Sequence, residues 1–315
     1  MLSFNELLNE DKNTHMKSFR QFIKEGGKAV SGVSRINQEN VDATVKDIFN
    51  KVISTLKLGE KDIGLLGSTG KKKPGESSGD IDVAIDVNSV LRANKLKKGS
   101  EVFDFIEKKV RRVSKAVKAS KGFGVISLEW PIVNKDKKQK GQRVQLDLML
   151  VDNLELAKFS FWSPSSEESK WKGIYRNMML SAIATHMDFE VVEKGFDEEG
   201  KEIPVTFKRN FIDLKKGLVR GLQTRIGKSG KLFTKGRKQT LDTTVIADSP
   251  KEIVNALLGP AFNINDANSF ESLFKVLSHP KFLYKKNKKD IINTMIITLK
   301  KVDGLIVPEE LEKFV

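Results

Sequence analysis

A chain of 315 residues has room for two domains of ordinary size. Without a single cysteine it can carry no disulfide, thiol nucleophile or cysteine-based zinc site. Its 56 Lys+Arg against 41 Asp+Glu leave a net charge of +15, which points to a polyanionic partner, nucleic acid first and nucleotide second. No apolar run approaches the roughly 20 residues of a membrane span. The opening MLSFNELLNEDKN has acids where a secretion signal carries basic residues, so a cytoplasmic protein with no membrane partner is expected.

Residues 1–40 read as an N-terminal arm, beginning with a short amphipathic segment that ends in Leu8-Asn9-Glu10. Over residues 41–56, Val41, Val45, Ile48, Phe49, Val52, Ile53 and Leu56 recur at helical spacing and predict one apolar helix face. A strand over 62–66 follows and runs into Gly67-Ser68. The segment KKKPGESSG then reads as a polar loop, because Pro74 and the glycines exclude regular structure. Lys71 to Lys73 could touch phosphate, with a solvated loop as the plainer expectation. The string GSTGK is not a P-loop: that motif needs Gly where Leu65 stands and Ser or Thr where Lys72 stands.

The next strand opens Asp80-Ile81-Asp82. Alternation puts Asp80 and Asp82 on one face and Ile81, Val83, Ile85 and Val87 on the other. Carboxylates about 6–7 Å apart along a strand repel unless a proton or cation lies between them, and hard Mg²⁺ suits such oxygens. A basic helix is predicted over about 100–119, with strands near 124–133 and 142–151 and NKDKKQKG as an exposed turn between them. In the second of these strands, RVQLDLMLV, Val144, Leu146, Leu148 and Leu150 form the apolar face, while Gln145, Asp147 and Met149 lie opposite. An acid in the middle of an apolar strand needs a partner, since an unpaired buried carboxylate is costly.

The character changes after Asp152. A loop at Ser163-Pro164 precedes a helix expected to start near Ser165 or Ser166 with Glu167 and Glu168 in its first turn. Trp171, Ile174, Tyr175, Met178 and Met179 share its apolar face, while Lys172 and Arg176, four apart, share another. Residues 189–211 read as a β-hairpin. From 215 to 238 the chain carries Lys215, Lys216, Arg220, Arg225, Lys228, Lys231, Lys235, Arg237 and Lys238 without an acid, and recurring glycines suggest a flexible, backbone-exposing segment. This is the candidate polyphosphate-binding surface. Residues 249–315 read as helical, broken at Pro260, Pro280 and Pro308.

Taken together, Gly67-Ser68, a loop of about ten residues, Asp80-x-Asp82 and the later strand-borne Asp147 resemble the nucleotidyltransferase superfamily related to DNA polymerase β. The resemblance is specific over about residues 41–152. It implies an α+β fold: a nucleotidyltransferase palm with a mixed sheet over 41–160, then a mostly helical C-terminal domain with a β-hairpin over 161–315. It further implies transfer of a nucleoside monophosphate from a nucleoside triphosphate to an acceptor hydroxyl, most readily on RNA, using two Mg²⁺ ions that Mn²⁺ could replace. Asp80 and Asp82 would ligate both ions. Asp147 would ligate the catalytic one and help deprotonate the acceptor, while Gly67 and Ser68 would hold the triphosphate. In many relatives the helix after the palm supplies basic residues to the triphosphate, a role that would fall to Lys172 and Arg176. Transfer to a protein or small molecule, or a non-catalytic nucleic-acid-binding protein on the same palm, are the alternatives. The tripeptide Leu8-Asn9-Glu10 resembles the cleavage site of leaders on internal proteins of T4-like bacteriophages, which would imply a phage protein acting in the host cytoplasm or packaged in the virion.

Overall fold

The computed structural model describes residues 29–196, 200, 202–213, 215–226 and 237–314. The leader-like tripeptide and Lys228, Lys231 and Lys235 lie outside the described residues. Two compact units are present, and among the described residues they divide between Gly173 and Ile174. The first unit therefore runs about a dozen residues past the boundary expected at 160, and it takes in residues from 29 onward that read in sequence as a separate arm.

The first unit is a mixed five-stranded sheet in the order β2-β4-β7-β6-β5, with β2 Ile63–Leu65, β4 Asp80–Asp86, β5 Val117–Ser120, β6 Val125–Pro131 and β7 Arg143–Val151. Strands β4 and β7 are parallel and the other neighbours antiparallel. A two-stranded ribbon, β1 Ile36–Asn37 with β3 Ser77–Ser78, stands apart. Helices α1 Gln38–Ile48, α2 Val87–Asn94 and α3 Gly99–Val110 cover one sheet face. There Ile48, Ile53, Leu56, Val102 and Ile106 pack with Ile81, Ile85, Leu146 and Leu148. Full burial of each such side chain contributes roughly 1.5–3 kcal/mol. The helical stripe expected over 41–56 forms, but α1 gives way to a π turn at Phe49–Ile53 and a 3₁₀ turn at Ser54–Leu56.

On the opposite face, α4 Leu154–Ser160 covers part of the sheet through Ala157, which packs with Leu66, Ala84 and Met149. Asp86 caps α2, its carboxylate accepting N–H bonds from Asn88 (3.1 Å) and Ser89 (3.2 Å). Helix α3 stops at Val110, well short of 119. Residues 111–116 form a turn and β5 then takes up Val117–Ser120, in keeping with the alternation of Val117 and Ala119 with Lys118 and Ser120. The turn between β6 and β7 is docked rather than fully exposed. Asp136 accepts from the side chains of Asn37 (2.7 Å) and Asn40 (2.8 Å), and Gln139 is buried.

The second unit opens at Ile174, within α5 Gly173–Thr185, a helix that starts several residues later than expected. Glu168 instead accepts the Ser165 N–H at 2.9 Å in a separate turn. The strands read over 189–211 pair antiparallel as β8 Glu190–Phe196 and β9 Glu202–Asp213, and β10 Gly217–Ile226 and β11 Arg237–Ala247 extend them to a four-stranded antiparallel sheet, β11-β10-β9-β8. Helices α6 Pro250–Leu258, α7 Phe270–Leu277, α8 Lys288–Lys300 and the short α9 Glu309–Glu312 complete it. Ile253, Leu257, Leu273, Ile291, Met295 and Leu299 on these helices are fully buried. Among the described residues no helix is long and apolar enough to cross a membrane.

Candidate metal centre

The parallel register of β4 and β7 sets Asp82 directly beside Asp147 and Asp80 beside Gln145. Because alternate residues share a face, Asp80, Asp82 and Asp147 all leave the sheet on the side away from α1, α2 and α3. Each offers a carboxylate oxygen within 4.8 Å of the others. Asp147 is buried, and Asp80 and Asp82 are half-buried. Burial holds the Asp82 carboxyl well above the usual carboxylate range, and the neighbouring charges of Asp80 and then Asp147 push it further the same way. Three hard oxygen donors converging where like charges repel are suited to Mg²⁺ or Mn²⁺.

The Gly67-Ser68 turn lies against this cluster. Gly67 has a left-handed φ of 59°, and a Cβ there would stand 2.8 Å from Asp82 Oδ2, so only glycine fits both conformation and approach. Its N–H donates to the Phe161 carbonyl at 3.0 Å. That amide is thus engaged within the protein; Gly67 lets the turn approach Asp82, and Ser68 is half-buried beside it. Sequence reasoning passed over two neighbours. Thr69 is buried, and its Oγ1 accepts the Asp82 N–H at 3.2 Å. Gln145, fully buried, donates to both Asp147 oxygens at 3.1 and 2.9 Å. The signals available were a hydroxyl next to Gly67-Ser68, and an amide two residues before a strand-borne acid.

The loop over 71–78 is anchored along its length. Lys72 N–H donates to Gln38 Oε1 (3.2 Å) and Gly75 N–H to Glu39 Oε1 (2.9 Å), both at the start of α1. Glu76 accepts from Ser166 Oγ at 2.7 Å. Lys71 Nζ donates to the Ser163 carbonyl at 2.8 Å and stands 3.4 Å from the centroid of the Trp162 ring.

The basic candidates separate. Lys172 is exposed and precedes α5, so it and Arg176 are not an i, i+4 pair on one open helix face. Arg176 is only 1% exposed, donates from Nε to the Ala267 carbonyl at 2.6 Å and from Nη1 to Asn177 Oδ1 at 2.7 Å. Burial lowers its pKa to about 9. Its contacts are those of a core residue of the second unit rather than of an open triphosphate ligand. Lys215 and Lys216 are exposed in the turn before β10, where both backbone N–H groups donate to Asp213 Oδ1. Arg220 pairs with Glu190 at 2.9 Å. Arg225 is buried, with its Nε on the Pro204 carbonyl at 3.0 Å.

The expected flexible segment is thus a paired strand as far as Ile226. A Cβ on Gly221 would come within 2.7 Å of the Phe211 ring, so this glycine serves strand packing rather than flexibility. No family model matches this chain, and no curated protein matches it.

Proposed function

We propose that the chain is a metal-dependent nucleotidyltransferase with a polymerase β-like palm in its first unit, moving a nucleoside monophosphate from a nucleoside triphosphate to an acceptor hydroxyl on RNA. One observation carries this reading. Three acids from two parallel strands converge within 4.8 Å, and a glycine turn at Gly67-Ser68 is pressed against one of them. Asp80, Asp82 and Asp147 would hold two Mg²⁺ ions. When bound, such ions stabilise charge on the attacking and leaving oxygens of an in-line displacement.

The chain's own residues do the rest. Asp147 takes the proton of the acceptor hydroxyl as its oxygen bonds to the α-phosphorus and the bond to the pyrophosphate oxygen breaks. Ser68 faces the triphosphate from the turn. Thr69 fixes the backbone of Asp82 so that both strand-borne acids keep their places. RNA is favoured as acceptor by the net charge of +15, because cationic surfaces bind phosphate backbones through counterion release.

Incubating the protein with each labelled nucleoside triphosphate, with Mg²⁺ or with a chelator, and with total RNA, total protein or neither, tests this reading. Mg²⁺-dependent label on RNA is the expected result. Label on protein or a small molecule would reassign the acceptor, and no transfer from any nucleotide would remove the enzymatic reading.

A further inference from the structure

Gln145 precedes Asp147 by two residues on β7, so the two side chains leave the same face of the sheet. It has no exposed surface, and a buried amide is costly unless it is hydrogen-bonded. Its bonds run in one direction. Oε1 accepts the N–H groups of Ala29 (2.8 Å) and Val30 (3.2 Å), and Nε2 donates to Asp147 Oδ1 (3.1 Å) and Oδ2 (2.9 Å).

The amide cannot be reversed. Turned over, it would set its NH₂ against two backbone N–H groups and its carbonyl oxygen against a carboxylate. The two N–H groups of residues 29 and 30 therefore dictate that the NH₂ faces Asp147. A carboxylate holds about four lone-pair positions, so two donated bonds anchor Asp147 and still leave it able to ligate a cation.

We infer that Gln145 is a positioning residue for Asp147, and that the Ala29–Val30 backbone belongs to the metal centre through it, across a sequence separation of 116. This inference rests on the reading of the acid triad as a divalent-cation site. Neither residue 29 nor residue 30 touches a cation in this role. They fix the amide, the amide fixes the carboxylate, and the carboxylate ligates. Partners of this outer kind are worth about 10–100-fold in metal affinity elsewhere.

The test is Mn²⁺ binding to the full chain, followed by the electron paramagnetic resonance of free Mn²⁺, with thermal melting of the same samples. Gln145→Met keeps the volume and removes every bond; it is expected to weaken Mn²⁺ binding by about tenfold or more. Ala29→Pro removes one N–H and alters no side chain at the site; it is expected to weaken binding in the same direction by less. Leu148→Ala, on the other face of the same strand, lowers the melting temperature and is expected to leave Mn²⁺ affinity unchanged.

Wild-type affinity in a folded Gln145→Met protein would overturn the positioning role while leaving the metal site standing. If Gln145→Met does not fold, unaltered affinity in Ala29→Pro overturns the inference by itself. An equal loss of affinity in Leu148→Ala would also overturn it, since binding would then merely follow stability. No Mn²⁺ bound by the wild-type chain would remove the metal reading and this inference with it.

Discussion

The acid-bearing end of β4 and β7 and the charged surface of β8 to β10 treat charge in opposite ways. In the first, three carboxylates are brought within 4.8 Å of one another, and the fold holds one of them well above its ordinary pKa. In the second, opposite charges are matched between strands, with Lys208 and Arg220 both on Glu190, and a further arginine, Arg225, is buried on a carbonyl. A fold accepts like-charge crowding at a cost in stability, and the divalent cation proposed above would relieve it. Matched surface pairs need no ligand. The difference shows why a small cluster of one sign carries more functional information here than a long run of the other.

The sharpest way to break the contrast is at the acids. Asp82→Asn or Asp147→Asn should reduce nucleotidyl transfer by about a thousandfold or more, since the charge stabilisation involved is several kcal/mol. Melting temperature should be retained or raised in the chelated protein. Labelled-nucleotide assays beside thermal melting check both halves, and full activity in either variant would end the assignment.

A core substitution one residue away should behave in the opposite manner. Ile81→Ala, fully buried on the helix-covered face, should cost about 2–5 kcal/mol by urea unfolding.

At the turn, Gly67→Ala must adopt a left-handed backbone at about 1–2 kcal/mol and set a methyl group against Asp82. Mn²⁺ affinity should fall together with stability, unlike the core variant.

The metal-free protein should also melt at lower temperature as pH rises. Asp82 has its folded pKa raised above the ordinary value. Its contribution is therefore favourable while protonated and is lost as pH climbs through that raised pKa. Melting curves taken upward in pH from the ordinary carboxylate range should show the decline, and Asp82→Asn or added Mg²⁺ should flatten it.

The smallest effect belongs to the matched region. Arg220→Ala should cost no more than about 1 kcal/mol, as exposed pairs do, and should leave the salt dependence of RNA binding nearly unchanged. A steep fall in that dependence would restore the strand to the nucleic-acid surface.

Two periodicities make much of this chain legible from its residues alone. The 3.6-residue stripe over 41–56 and the two-residue alternation in DIDVAID and RVQLDLMLV each follow from local backbone geometry. They put Asp80 and Asp82 on one side of a strand without reference to any neighbouring segment. The same alternation is present in 117–120, where the helical pattern of the preceding residues masks it.

The resemblance grouped Asp147 with Asp80 and Asp82, but local geometry alone could not reach what depends on a distant partner. The parallel pairing of β4 with β7 decided that Asp147 would stand beside Asp82. Folding also decided that Arg176 and Arg225 would be core residues, that Gly221 would sit under an aromatic ring, and that the N–H groups of residues 29 and 30 would orient Gln145. Sequence by itself determined which faces of its strands are apolar and where acids interrupt them, because side-chain direction is a local property. Only tertiary structure decided which of the charged groups share a space, because burial and hydrogen bonding between remote segments are settled by packing.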